Sequence, residues 1–391
     1  MSGKIPYLDG LRGIAAVNVM IMHFFVALSP AMVYGSKYPS HFGSLDLIFS
    51  STPLGLIGAG NFSVCIFFVL SGYVLTQKFS KTKENSIIIS SAIRRYPRLF
   101  IPVFAAVMFS YLLSSFGLYQ NYIEVMAISA GSNYWHYWTF TPDILDAIKQ
   151  AVWTSFFVGG TIYYNPVLWT MTIEFYGSML VFTMALLFGS LRNRWTFYLA
   201  AILVSINLYY LAFVIGMILA DAFNSKKPIF KTDNKIILFI ILISGLFLGS
   251  YPINPPTSDS LYGFLINELF EAPKVTYHVI GAGMIMYVLL NSKALQRIFS
   301  SSVPVFLGKI SYSLYLIHFP VISSFTCALF LFLYPGFSYG TAFLISVILS
   351  LLIIIPLSYL FYKYVDVAGV KFSKTFYSRL AHPSHPAVSD T

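Results

Sequence analysis

Charge is scarce in this chain: 10% of its 391 residues are Asp, Glu, Lys or Arg, against about 25% in an ordinary soluble domain. That scarcity excludes a solvated globular surface. With 57% hydrophobic residues and a mean hydropathy of +0.75, the chain reads as a polytopic membrane protein. Cysteine is nearly absent too, and Cys65 and Cys327 both stand inside apolar runs, which excludes a disulfide framework. Acidic residues are outnumbered 14 to 24 by Lys and Arg, a formal charge of +10. The basic residues fall between apolar runs, as topology-setting loop charges do, so no nucleic-acid partner is expected. No small-residue cleavage pattern follows the first apolar run, which reads as a retained helix rather than a signal peptide.

What the chain has in quantity is long apolar runs, at about 8–30, 54–77, 99–118, 166–188, 195–222, 236–251, 276–291, 303–334 and 339–362. Lys78, Lys81, Lys83, Arg94, Arg95 and Arg98 place the second connection in the cytoplasm, and the N-terminus with it. A single crossing by 195–222 would put Lys226, Lys227, Lys231 and Lys235 outside, so that run is expected to enter and return as two short helices or a re-entrant hairpin. The fold class expected is therefore all-α, an integral membrane bundle of about ten transmembrane helices with both termini cytoplasmic. Residues 1–370 form its one domain and 371–391 a disordered cytoplasmic tail. Outside, Thr141 and Pro142 are placed to cap and start an amphipathic helix carrying Ile144, Leu145, Ile148, Val152 and Phe156. The aromatic stretch "NYWHYW" at 133–138 suits a headgroup-level belt, or a platform for a sugar.

Ionisable residues within such runs are costly and mark function or pairing. Arg12 and His23 are eleven residues apart, which at 100° per residue returns to within about 20° of one face and separates them by roughly 16 Å. The plainer readings are a snorkelling Arg12 paired with Asp9 at i,i+3, and a His23 that hydrogen-bonds between helices. Glu174 lies at a depth similar to that of His23. His318 lies near the midplane with Ser311, Tyr312 and Tyr315 below it, and a satisfied core histidine is the plainer reading there. Toward the cytoplasm gather Arg12, Arg95, Arg98, Lys309 and the Ser71-Gly72 pair, a set suited to a polyanion such as nucleotide phosphates. Such a path fits a transporter or flippase, or a transferase working across the membrane. The deep histidines stand on separate helices without ligand spacing, so no metal is expected.

At these residues the sequence resembles the transmembrane acyltransferase 3 family over about 5–370. "YLDGLRGIAAVNVMIMHFF", with Arg12 and His23 separated by ten residues, is similar to its first-helix motif. "VCIFFVLSGYVL", the Arg95 and Arg98 pair, "LWTMTIEFYG" and "LGKISYSLYLIHFP" resemble its later motifs in order. Cys65 stands where many members have an aspartate, and the acidic ending of the last helix is present only as Asp366.

The resemblance implies a stand-alone O-acyltransferase that takes an acyl group, by default acetyl, from acyl-CoA (acetyl-CoA). The acceptor it implies is a hydroxyl of a carbohydrate, such as a cell-surface polysaccharide or lipid-linked sugar, or of a lipophilic small molecule. With that chemistry, His23 is expected to act as base, kept neutral by burial, with Glu174 as its orienting carboxylate. The donor's phosphates fall to Arg12, Arg95, Arg98, Ser71, Gly72 and Lys309, with support from Asp9, Tyr312, Tyr315 and His318. The membrane expected is a bacterial inner membrane, or else a eukaryotic internal one.

Overall fold

The computed structural model describes residues 5–131, 137–160, 162–224, 230–266, 270 and 273–381, and every regular element among them is helical. Ten apolar helices follow one another: α1 (Pro6–Leu28), α2 (Gly60–Thr82), α3 (Asn85–Ser115), α4 (Pro166–Phe188), α5 (Arg194–Ser205), α6 (Tyr210–Asn224), α7 (Lys235–Gly249), α8 (Pro273–Asn291), α9 (Ser302–Leu333) and α10 (Tyr339–Ala381). Seven are long and apolar enough to cross a bilayer, whereas α5, α6 and α7 are shorter. Of the residues singled out above, 133–136, Lys226, Lys227 and 382–391 lie outside the described residues.

The run 195–222 is two helices. Asn207 takes a left-handed φ of 68° at the turn between them. Arg194, which opens α5, meets the last turn of α6 at Asp221, 2.5 Å away. The two helices therefore form an antiparallel hairpin that returns to the side it left. Asp221 is 1% exposed and its other oxygen takes Lys83 Nζ at 2.9 Å, so a buried carboxylate is matched by two cations.

Two local expectations are corrected. The helix expected after Thr141 starts at Ile144, not at Pro142: Asp143 stays extended (φ −127°, ψ 131°) and its carboxylate accepts the Asp146 N–H at 2.8 Å. Asp143, rather than Thr141, is the cap. The last helix does not stop near 362 but runs to Ala381 through a π-helical turn at Tyr362–Asp366, so 371–381 continue the bundle.

Close helix contacts are made where a side chain is missing. A Cβ on Gly308 would fall 2.1 Å from the Asp9 carbonyl oxygen, and one on Gly13 2.5 Å from the Gly308 nitrogen, so α1 and α9 touch backbone to backbone. Gly72 meets Phe213 in the same way, at 2.2 Å from its carbonyl oxygen, and joins α2 to α6. Small residues at such crossings are how membrane helices gain packing without a hydrophobic driving force.

Candidate active site

The α1–α9 crossing sets the level of the two deep histidines. Gly10 meets Phe299 and Pro304, and Gly13 meets Pro304, Leu307 and Gly308, in rising order, so the helices run parallel. His23 is ten residues past Gly13 and His318 ten residues past Gly308, an equal climb of about 15 Å. The imidazoles consequently arrive together: His318 Nε2 is 3.0 Å from His23 Nδ1, with ring centroids 4.9 Å apart.

Hydrogen-bond partners decide the protons. A neutral imidazole has one N–H. His318 Nδ1 has the Leu314 carbonyl oxygen at 2.8 Å and, facing an acceptor, donates to it, which leaves Nε2 as an acceptor. The hydrogen between the rings then belongs to His23 Nδ1, which also has the Val19 carbonyl oxygen at 2.9 Å. His23 Nε2 keeps its lone pair. His318 is fully buried, while His23 as a whole residue is half-buried, so the bare nitrogen is on the less buried member of the pair.

Below this pair lies a cavity of about 660 Å³, within the range of small-molecule and cofactor sites. Its wall includes most of the residues the sequence singled out: Asp9, Arg12, Ser71, Arg95, Arg98, Glu174, Lys309, Tyr312 and Tyr315. Each arginine has a carboxylate partner. Arg12 pairs with Asp9 at 2.9 Å on one face of α1, Arg98 with Asp366 at 2.6 Å, and Arg95 with Glu174. Arg95 Nε also donates to Ser178 Oγ at 2.8 Å, and Ser71 Oγ donates to Glu174 at 2.7 Å. The Arg98 guanidinium lies 5.5 Å from the Tyr312 ring centre, a cation–π arrangement. At the inner end, Tyr315 lines the cavity and its ring centre is 6.0 Å from that of His318.

Two placements differ from the sequence reading. Glu174 is held by Arg95 and Ser71, and the side-chain partner of His23 is His318. Equal depth along separate helices had left the facing direction open, and the arginine on α3 takes the carboxylate. Gly72 does not line the cavity, because its face is filled by the Phe213 backbone. The sequence reading also missed Tyr362, Lys371 and Lys374, which α10 brings to the cavity wall. Their signal was present in "VKFSKTF", where the lysines stand at i,i+3, but it required a helix continuing past 362.

Residues 5–363 match the acyltransferase domain that defines the acyltransferase 3 family. The chain belongs to the acyltransferase 3 family. This acyltransferase is similar to O-acetyltransferase PaAT-1 of Phomopsis amygdali, 27% identical over 97% of this chain and 86% of the relative. It is also similar to acyltransferase clz18 of Cochliobolus lunatus, 26% identical over 83% and 84% of the two chains, and to acyltransferase R4 of a Phoma species, 24% identical over 83% and 84%. No solved structure matches it. The enzyme is thus a multi-pass integral membrane acyltransferase that requires an acyl donor. Among its described residues no three His, Cys, Asp or Glu side chains gather as a metal set.

Proposed function

We propose that the enzyme transfers an acetyl group from acetyl-CoA, held in the cavity, to a hydroxyl of an acceptor activated by His23. The observation that carries this is the charge of the cavity and where it ends. Six basic side chains line it, Arg12, Arg95, Arg98, Lys309, Lys371 and Lys374, against the three carboxylates of Asp9, Glu174 and Asp366. All three carboxylates pair with arginines, and among the described residues no carboxylate pairs with the three lysines. A wall with three unmatched ammonium groups suits the phosphates of a nucleotide-linked donor. The far end is one tyrosine ring from the histidine pair, where a thioester at the tip of a long arm would arrive.

The chemistry then follows from the bare His23 Nε2. It takes the proton of the acceptor hydroxyl as that oxygen forms a bond to the thioester carbonyl carbon. The carbon–sulfur bond breaks, and the leaving thiolate receives the proton from His23. His318 Nε2 accepts the His23 Nδ1–H throughout, which fixes the ring and shares the charge of the transient imidazolium. This is the orienting role that a carboxylate fills in other acyl-transfer sites. Burial of Cys65 and Cys327 at 0% exposure gives neither thiol access to an acyl group, which favours direct transfer over an acyl-cysteine.

The basic wall would open to the cytoplasm, with ten membrane segments and both termini on that side, the arrangement that the α5–α6 hairpin makes consistent with positive-inside counting. Thioester cleavage tests the reading. Purified wild type should release free thiol from acetyl-CoA, and His23→Ala should bind acetyl-CoA yet release about 10³-fold less. Equal release by the variant would refute the assignment.

A further inference from the structure

Phe319, the residue after His318, stands between the catalytic pair and an aromatic cluster that the donor reading does not use. Its ring centre is 4.9 Å from that of His23 and 6.1, 5.9 and 6.2 Å from those of Tyr122, Tyr137 and Trp138. Tyr122 comes from the short helix Gln120–Ser129, and Tyr137 and Trp138 from the connection that follows it. The cluster is thus built from the connection between α3 and α4, on the opposite side of the histidines from the cavity lysines.

Two atoms in it lack partners. Tyr122, 1% exposed, and Trp138, 7% exposed, have a hydroxyl and an indole N–H that make no hydrogen bond among the described residues. Buried polar groups are paired almost without exception, and those left unpaired call for a ligand or a water. Trp138 is also held at a left-handed φ of 64°, unusual for a bulky residue. Strained backbone of this kind clusters at ligand clamps. The indole is braced by Tyr119, with ring centres 3.9 Å apart.

We propose that this cluster is the acceptor subsite and that it takes a neutral, lipophilic ring alcohol rather than a carbohydrate. The inference rests on the transferase reading above. Rings supply flat apolar faces, and the two unpaired groups supply donors for one or two oxygens. Burial above all keeps the Tyr122 hydroxyl protonated well above the usual tyrosine range, and Tyr137, Cys327, Tyr34 and Tyr38 add to that shift. A sugar would bring several hydroxyls into this setting, stripped of water, where the cluster of Tyr119, Tyr122, Tyr137, Trp138 and Phe319 offers no amide or carboxylate to receive them. An alcohol with a single hydroxyl aimed at His23 Nε2 leaves none unmatched.

The test uses the full-length protein in detergent with acetyl-CoA, and borneol or maltotriose as probe acceptors, reading release of free thiol. Borneol should raise release severalfold above the level without acceptor, and maltotriose should not. Tyr122→Phe should raise the KM for borneol about tenfold, the loss of one hydrogen bond, while leaving the KM for acetyl-CoA unchanged. Its melting temperature should not fall, since the hydroxyl removed has no partner in the folded protein; Trp138→Phe should behave alike toward borneol. Stimulation by maltotriose alone, no stimulation by either probe in protein that binds acetyl-CoA, or an unchanged borneol KM in both variants would overturn the proposal. Failure of wild type to bind acetyl-CoA would instead remove the donor reading, and this subsite with it.

Discussion

His318 Nε2 accepts the N–H of His23 Nδ1 at 3.0 Å, across two helices whose sequences are 295 residues apart. The pairing gives His23 a fixed side-chain neighbour, which the proposed mechanism uses to orient it as a base. In the mechanism proposed above, His23 meets the reacting oxygen and His318 holds it in place.

Removing the orienting partner should slow catalysis without touching the donor. For His318→Leu, kcat should fall about 10–100-fold, within the range of proton-transfer contributions, with the KM for acetyl-CoA unchanged. His318→Gln, whose amide oxygen can accept the same hydrogen, should recover part of the loss. Steady-state kinetics of both variants check this; equal losses in both, or a loss confined to KM, would assign His318 a packing role only.

Arg98 and Asp366 test whether the cavity's arginines bind donor or merely neutralise acids. Asp366 is 7% exposed on its side chain and Arg98 28%, so Arg98→Ala strands a buried carboxylate and should cost roughly 1–3 kcal/mol of stability. Adding Asp366→Ala should restore most of the melting temperature. Donor affinity should stay weak in the double variant. Recovery of both together would make the pair structural.

The backbone contact between α1 and α9 predicts a sensitive position far from the chemistry. Gly308→Ala places a methyl group 2.1 Å from the Asp9 carbonyl oxygen and must push the two helices apart. A shift of about 1 Å between the imidazoles should cost on the order of 10²-fold in turnover. Gly336→Ala, whose added Cβ has its nearest neighbour 3.9 Å away, should change stability by less than about 0.5 kcal/mol. Turnover and melting temperature, measured side by side for the two variants, give the comparison.

How far the sequence reached can be seen residue by residue. The Arg12–Asp9 pair was legible because i,i+3 residues of one helix are neighbours on its surface. The α5–α6 hairpin was legible because a charge rule constrained it. His318 as the partner of His23 was not, since it depends on the Gly13 and Gly308 contact between distant segments. Glu174 was placed by depth along its helix, which says nothing about which neighbour it faces, and Arg95 is that neighbour. Lys371 and Lys374 were set aside with a tail because bilayer thickness suggested an end near 362, whereas the helix continues.

The central claim is that the donor's phosphates sit against the lysine-rich wall, and saturation binding of radiolabelled acetyl-CoA to wild type and to Lys371→Glu/Lys374→Glu tests it most directly. The two lysines belong to α10 and pair with no described carboxylate, so reversing them changes the cavity's charge without stranding a partner. Wild type should bind saturably and more weakly as salt rises, and the variant should bind at least about tenfold more weakly. Equal affinity in the two proteins, with both shown to be folded, would contradict the placement of the donor in this cavity.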